Sequence, residues 1–312
     1  MFVVAAAALT TVSCSSDSEE SVNNSVSGTM FVAENPGTTS TRTELNPNDE
    51  ITPMWSGNEL LSVVTSGNGG RIYRFNAAGS GRLTGFTAGE SSTNQLTDEF
   101  RGGADHGYGI IGFDGAVTPG SSRADITIGD NIIGERLSTW APASDVLVTK
   151  FDKESVTKFS SEGEPVKLRF KRLNSVLKLM MRAENTSDLH GFHVDEIQMR
   201  VMSDKVNFKG SIGYDFTTGK QSMSYDTDGY ITMHHAEEDV NMFTFARTEE
   251  HTVYFSCLPM TLEPGMKVEL LLKQNGLLFV RKILEIKEEI KLEPAYVNTF
   301  SVVVTHKDKI RL

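Results

Sequence analysis

The residues of this 312-residue chain that could do chemistry are few and scattered. His234-His235, followed by Glu237, Glu238 and Asp239, is the most metal-like grouping. Successive side chains on a β-strand point to opposite faces, so two adjacent histidines there cannot easily close on one ion. A solvated edge is the plainer reading. Asp226 and Asp228 in SYDTDGY have the spacing that opens a calcium loop, but Gly229 comes too early and no Glu closes it. A β-turn fits better. Asp105-His106, with glycines on both sides, could form an acid–base pair, yet no nucleophile motif accompanies it and an exposed loop is expected. Cys257, close to Phe255 and Leu258, reads as a small buried hydrophobe. The sequence holds no GxSxG, HExxH, CxxC, phosphate-binding loop or dinucleotide fingerprint. No catalytic residue, metal or cofactor is expected.

One thiol does have a chemical context. Phe2 to Leu9 (FVVAAAAL) is an apolar run of signal-peptide length, too short to span a bilayer. Small residues follow, with Ser13 directly before Cys14. This junction resembles the lipobox of bacterial lipoproteins, where the peptide bond before the cysteine is cut and its sulfur carries a diacylglycerol thioether. No Lys or Arg precedes Cys14, and Thr11 stands where lipoboxes usually carry Leu. An upstream start would supply the missing basic residues; an incidental cysteine in a disordered terminus is the alternative. The tract after it, SSDSEESVNNSVSG, is polar and without period, as a flexible tether should be.

Beyond the tether, short apolar or alternating runs rich in Val, Ile, Phe and Tyr recur between Gly, Asn, Asp and Pro. TMFVAE, ELLSVVT, RIYRF, YGIIGF, ADITIG and VLVTKF mark the first half; VKLRFKR, VLKLMMRA, HVDEIQMRVM, TVYFSCLPM, KVELLLKQ and VNTFSVVVT the second. Asn275-Gly276 between two apolar runs is a hairpin signal. LEIKEEIKLEP (284–294) reads as strand or mixed. Helical periodicity is almost absent, which argues for antiparallel β-sandwiches. The polar cluster SSEGEP (160–165) is the best internal boundary. The expected organisation is a signal peptide at 1–13, a tether at 14–28, and two β-sandwich domains at 29–163 and 164–312. With 41 acidic and 30 basic residues the net charge is −11, which repels phosphate backbones and excludes a nucleic-acid partner.

TRTELNPNDEITPMWSGNELLSV (41–63), through Thr41, Arg42, Trp55, Gly57, Asn58, Leu60 and Leu61, is similar to the opening of the fimbrillin (Mfa-like, type V pilus) family of the Bacteroides group. LRFKRLNSVLKLMMR (168–182) is similar to the start of its second domain, with Arg172 in place of the usual His and Ser175 as the small residue. EPAYVNTFSVVV (293–304) is similar to its closing strand, with Ala295 in place of Gly. The resemblance implies two transthyretin-like β-sandwich domains and a lipoprotein of the outer membrane or cell surface. It also implies a non-catalytic fimbrial subunit or adhesin, partnered by other fimbrial subunits and by host or bacterial surface ligands. Family precursors are cut by an arginine-specific protease, lose an N-terminal strand and join by strand exchange. Arg42 is the position that best matches the cut, with TMFVAE as the strand that would leave; an exposed loop arginine beside a permanent edge strand is the alternative. A surface glycan-binding lipoprotein, with Trp55, Trp140 and Tyr108 stacking on sugars, is the competing function.

Overall fold

The computed structural model describes residues 29–34, 44–46, 49–55, 57, 59–67, 71–79, 83–112, 116–117, 121–133, 145–184, 189–235, 237, 240–247, 249–294 and 296–310. Ser13, Cys14, Arg42 and Trp140, and the signal and tether segments, lie outside the described residues.

The chain begins with strands β1 (Phe31–Glu34), β2 (Glu44–Asn46), β3 (Asp49–Met54), β4 (Leu60–Thr65), β5 (Tyr73–Ala77) and β6 (Leu83–Thr87). Helix α1 (Glu90–Arg101) leads to β7 (His106–Ile111), β8 (Ala116–Val117), β9 (Arg123–Ile128), β10 (Asn131–Ile133) and β11 (Leu147–Asp152). Helix α2 (Lys153–Glu162) precedes β12 (Val166–Leu168), β13 (Lys171–Arg172), β14 (Ser175–Ala183), β15 (His193–Val194) and β16 (Glu196–Val201). Then come β17 (Gly210–Asp215), β18 (Gln221–Tyr225), β19 (Ile231–His235), β20 (Phe243–Thr244), β21 (His251–Cys257) and β22 (Met260–Leu262). The chain closes with β23 (Lys267–Gln274), β24 (Leu277–Glu285), β25 (Ile290–Leu292), β26 (Val297–Val304) and a short 3-10 turn at His306–Asp308.

The class is all-β, as the runs predict. The largest sheet has the order β12-β1-β6-β5-β4-β7-β11-β13; others run β10-β19-β16-β23-β24, β18-β17-β9-β8 and β21-β14-β26. Most pairs are antiparallel, but β1–β12, β10–β19 and β14–β26 are parallel. Such pairs need long crossovers rather than hairpins, and each joins strands far apart in the chain, so local turn signals cannot announce them. The Asn275-Gly276 hairpin forms as expected, with both residues at positive φ (50° and 72°), the left-handed geometry of a tight β-hairpin turn. LEIKEEIKLEP resolves into the end of β24 and the whole of β25. HVDEIQMRVM is broken at Asp195, where β15 pairs with β20 while β16 pairs with β19 and β23. That break lets Val194 and Ile197 both be buried although their separation is odd.

The two helices are a departure from the sequence reading. Helix α1 buries only Leu96, Thr97 and Phe100, and no side chain caps its start, so its apolar pattern is too thin to read. Helix α2 does carry a signal: Asp152 accepts from the Ser155 N–H as N-cap, and Gly163 closes it at φ 75°. The SSEGEP cluster is therefore the end of this helix and the turn after it.

Two cores form. The first lies on one face of the large sheet and takes in α1 and α2 through Leu96, Phe100 and Val156. The second is built by the remaining sheets. Alternation along β4, β7 and β11 serves both: Val63, Ile111 and Leu147 enter the first core, while Val64, Ile110 and Val148 enter the second. Pairing crosses the 163/164 position in both directions, since β12 and β13 join the large sheet while β9 and β10 pair with β17 and β19.

Candidate functional site

The segment TMFVAE is not an edge strand. β1 lies inside the large sheet, antiparallel to β6 (Phe31 opposite Phe86, Val32 opposite Gly85) and parallel to β12 (Phe31 opposite Val166, Ala33 opposite Leu168). The Val166 N–H also donates to the Met30 carbonyl at 2.8 Å. Pleat alternation sends Phe31 and Ala33 into the first core, and Met30 is drawn in beside them; Val32, on the other face, is half-buried. The Phe31 ring is fully buried and meets Phe75 edge-on at 4.8 Å and Phe151 at 5.0 Å. Next to it Trp55, 1 % exposed, packs edge-on against Phe86 (5.7 Å) and Phe170 (5.6 Å). Removing β1 from this arrangement would open a slot between β6 and β12, walled by aromatic rings and lined by unpaired backbone groups. Its chemistry is that of a main-chain ladder with one deep side-chain pocket, suited to an extended peptide.

The other sequence-singled residues are dispersed. His235 is buried and its Nδ1 accepts from the Glu237 N–H at 3.2 Å, while His234 turns to the other face, with Nδ1 2.8 Å from the His235 carbonyl. Among the described residues no group of three or more His, Cys, Asp or Glu could hold a metal ion. Asp226 makes a turn, accepting from the Gly229 N–H through its carboxylate at 3.0 Å. Asp105 is exposed, whereas His106 opens β7 opposite Asp152. Cys257 is fully buried, and burial pushes its thiol far above the usual range.

Trp55 and Tyr108, the described members of the set proposed for sugar stacking, do not meet. Trp55 belongs to the first core; Tyr108 belongs to the second, stacked on Phe216 at 4.6 Å. Large aromatic rings maximise buried area, and both are spent on packing instead of on a surface platform.

Sequence reasoning missed a buried polar junction between the cores. Arg172 grips Asp145 in a two-point pair, Nε to Oδ1 at 2.7 Å and a terminal nitrogen to Oδ2 at 2.6 Å. Beside it Asn174 accepts from the Val146 N–H (2.9 Å) and donates to Ser256 Oγ (2.8 Å). The arginine noted at position 172 is thus a fixed structural partner. Its only sequence signal was a cation inside a strand-like run, which a solvated face explains equally well.

No family model matches the chain, and no curated protein does. Among solved structures, the chain is similar to a proposed cell adhesion protein of Bacteroides ovatus at 12 % identity and a TM-score of 0.49, covering 90 % of this chain and 94 % of that one. A proposed cell adhesion protein of Bacteroides uniformis is similar at 12 % identity, TM-score 0.45, over 90 % and 94 %. A fimbrial assembly protein of Parabacteroides distasonis is similar at 12 % identity, TM-score 0.34, over 89 % and 91 %.

Proposed function

We propose that this chain is a non-catalytic fimbrial subunit or fimbria-associated surface adhesin that joins its partners by strand exchange. In this reading Cys14 carries the lipid that holds the uncut precursor at the outer membrane, and cleavage after Arg42 frees β1 together with that anchor. The observation that carries the reading is the position of β1: an interior strand, hydrogen-bonded on both sides, that precedes Arg42 in the chain. A cut at Arg42 would sever the covalent link between β1 and the body at β2. The strand would then be held by its ladder and its side chains alone, and an incoming strand with a large apolar residue at the Phe31 position could replace it. Other fimbrial subunits are the partners this requires, and the finished surface would then meet host or bacterial ligands. The resemblance carried by Thr41, Arg42 and Trp55 supports the same reading.

Digestion with an arginine-specific protease tests it. The expected result is a primary cut after Arg42, absent in Arg42→Ala, followed by loss of the N-terminal piece that carries β1 and capture of added partner subunits. A first cut elsewhere, or cut protein that stays monomeric with partner subunits present, would overturn the proposal.

A further inference from the structure

A sheet edge is a row of unpaired N–H and C=O groups, and proteins blunt it with charge, bulges or a covering element. In the sheets of three or more strands, the edges longer than three residues are β18, β21, β24 and β26. β24 carries Arg281, Lys282 and Glu285, and the C-terminal segment crosses it: Lys309 bridges Val280, and the Ile310 N–H donates to the Phe279 carbonyl at 2.9 Å. β21 is covered at Ser256, whose N–H donates to the Asn131 side chain (2.8 Å) and whose carbonyl accepts from it (3.3 Å), as a neighbouring strand would arrange. β18 is short, at five residues.

Among the described residues β26 has none of these protections. Its eight residues, VNTFSVVV, include no charge and no proline, and its register with β14 is unbroken from Val297 to Val304. Among the described residues no strand lies on its other side. Val297, Thr299, Ser301 and Val303 are exposed, as is Tyr296 just before them.

We propose that this edge pairs with β26 of a second copy of the chain, antiparallel about a two-fold axis. The flanks select a second copy. Exposed Glu293 precedes the strand and exposed Lys307 follows it, while His306 beside it faces Glu184 at 3.6 Å. Antiparallel pairing brings the acidic flank of each copy to the basic flank of the other, a self-complementary arrangement under two-fold symmetry. A chain of net charge −11 repels its own copies over most of its surface, so a charge-free edge with opposite-signed ends is where two can meet. The result continues β21-β14-β26 into one sheet with three strands from each copy. It does not use β1 or its slot, so it stands apart from strand exchange.

Sedimentation velocity of the full chain over a concentration series tests the pairing. The wild type should form a dimer as concentration rises. Ser301→Lys, at an exposed site beside the two-fold axis, should dimerise about tenfold more weakly or worse, because like charges become cross-strand neighbours. Thr299→Lys should weaken it in the same direction, and both variants should keep the wild-type circular dichroism. A wild type that is monomeric throughout, or a dimer equally tight in both variants, would overturn the proposal. So would a monomer that takes up an added VNTFSVVV peptide, since the edge would then serve a different partner.

Discussion

Phe31→Ala asks how firmly β1 is held. The ring is fully buried and touches Phe75 and Phe151 edge-on, so its loss removes a whole core side chain and two aromatic contacts. Truncating a buried phenylalanine costs about 3–5 kcal/mol, a measured range that already includes lost ring contacts worth about 0.5–1.5 kcal/mol each, so about 4 kcal/mol is expected here. Against a whole-domain stability of about 5–15 kcal/mol the uncut variant should remain folded but marginal. Its urea midpoint should fall with an unchanged slope, and its melting temperature should drop by about 10 °C. Cleavage after Arg42 changes what the substitution can do. While β1 stays bound without a covalent link, the same 4 kcal/mol should appear as about a thousandfold weaker retention of the N-terminal peptide that ends at Arg42. Once the peptide has left, wild-type and variant bodies are chemically identical and should melt together. A loss below about 1 kcal/mol in the uncut chain would refute the packing argument. Equal retention of the two peptides after the cut would refute the link between that packing and strand release.

Cys14→Ser should abolish labelling by a radiolabelled fatty acid and move the protein from the membrane fraction to the soluble one; unchanged membrane association would count against the anchor. Glu269, almost fully buried, accepts from Arg200 (2.7 Å), Arg281 (2.6 Å) and the Tyr230 hydroxyl (2.6 Å). Burial pushes its carboxyl up, but these three donors outweigh it and hold the group below the usual glutamate range. A carboxylate with a lowered folded value gives its full stabilisation above about pH 4.3 and loses it as pH falls through that folded value. Glu269→Gln should therefore cost about 2–3 kcal/mol at neutral pH, less than for a fully buried pair because Arg281 is half exposed, and should flatten the acid limb of the stability curve. An acid limb identical to wild type in denaturant titrations would disprove this assignment.

Much of the β architecture is local and so was legible in the sequence. A period-2 run such as ADITIG specifies a strand and its buried face without reference to any partner, because alternation is a property of the extended backbone itself. Asn275-Gly276 specifies its hairpin for the same reason, since both residues accept positive φ. The turn at Asp226 and the burial of Cys257 were likewise written in nearby residues. The tertiary structure decided what depends on residues far apart in the chain. It placed β1 inside a sheet instead of at its edge, because the parallel neighbour that covers it, β12, comes some 130 residues later, after two helices. It drew Trp55 and Tyr108 into separate cores, and it turned Arg172 from a surface-like cation into the buried partner of Asp145. Helix α1 also belongs to this set: with only two apolar anchors, Leu96 and Phe100, it is held by the sheet face it covers and not by its own pattern. Pairing between distant strands is chosen by the free energy of the whole packed core, and no window of sequence contains that sum.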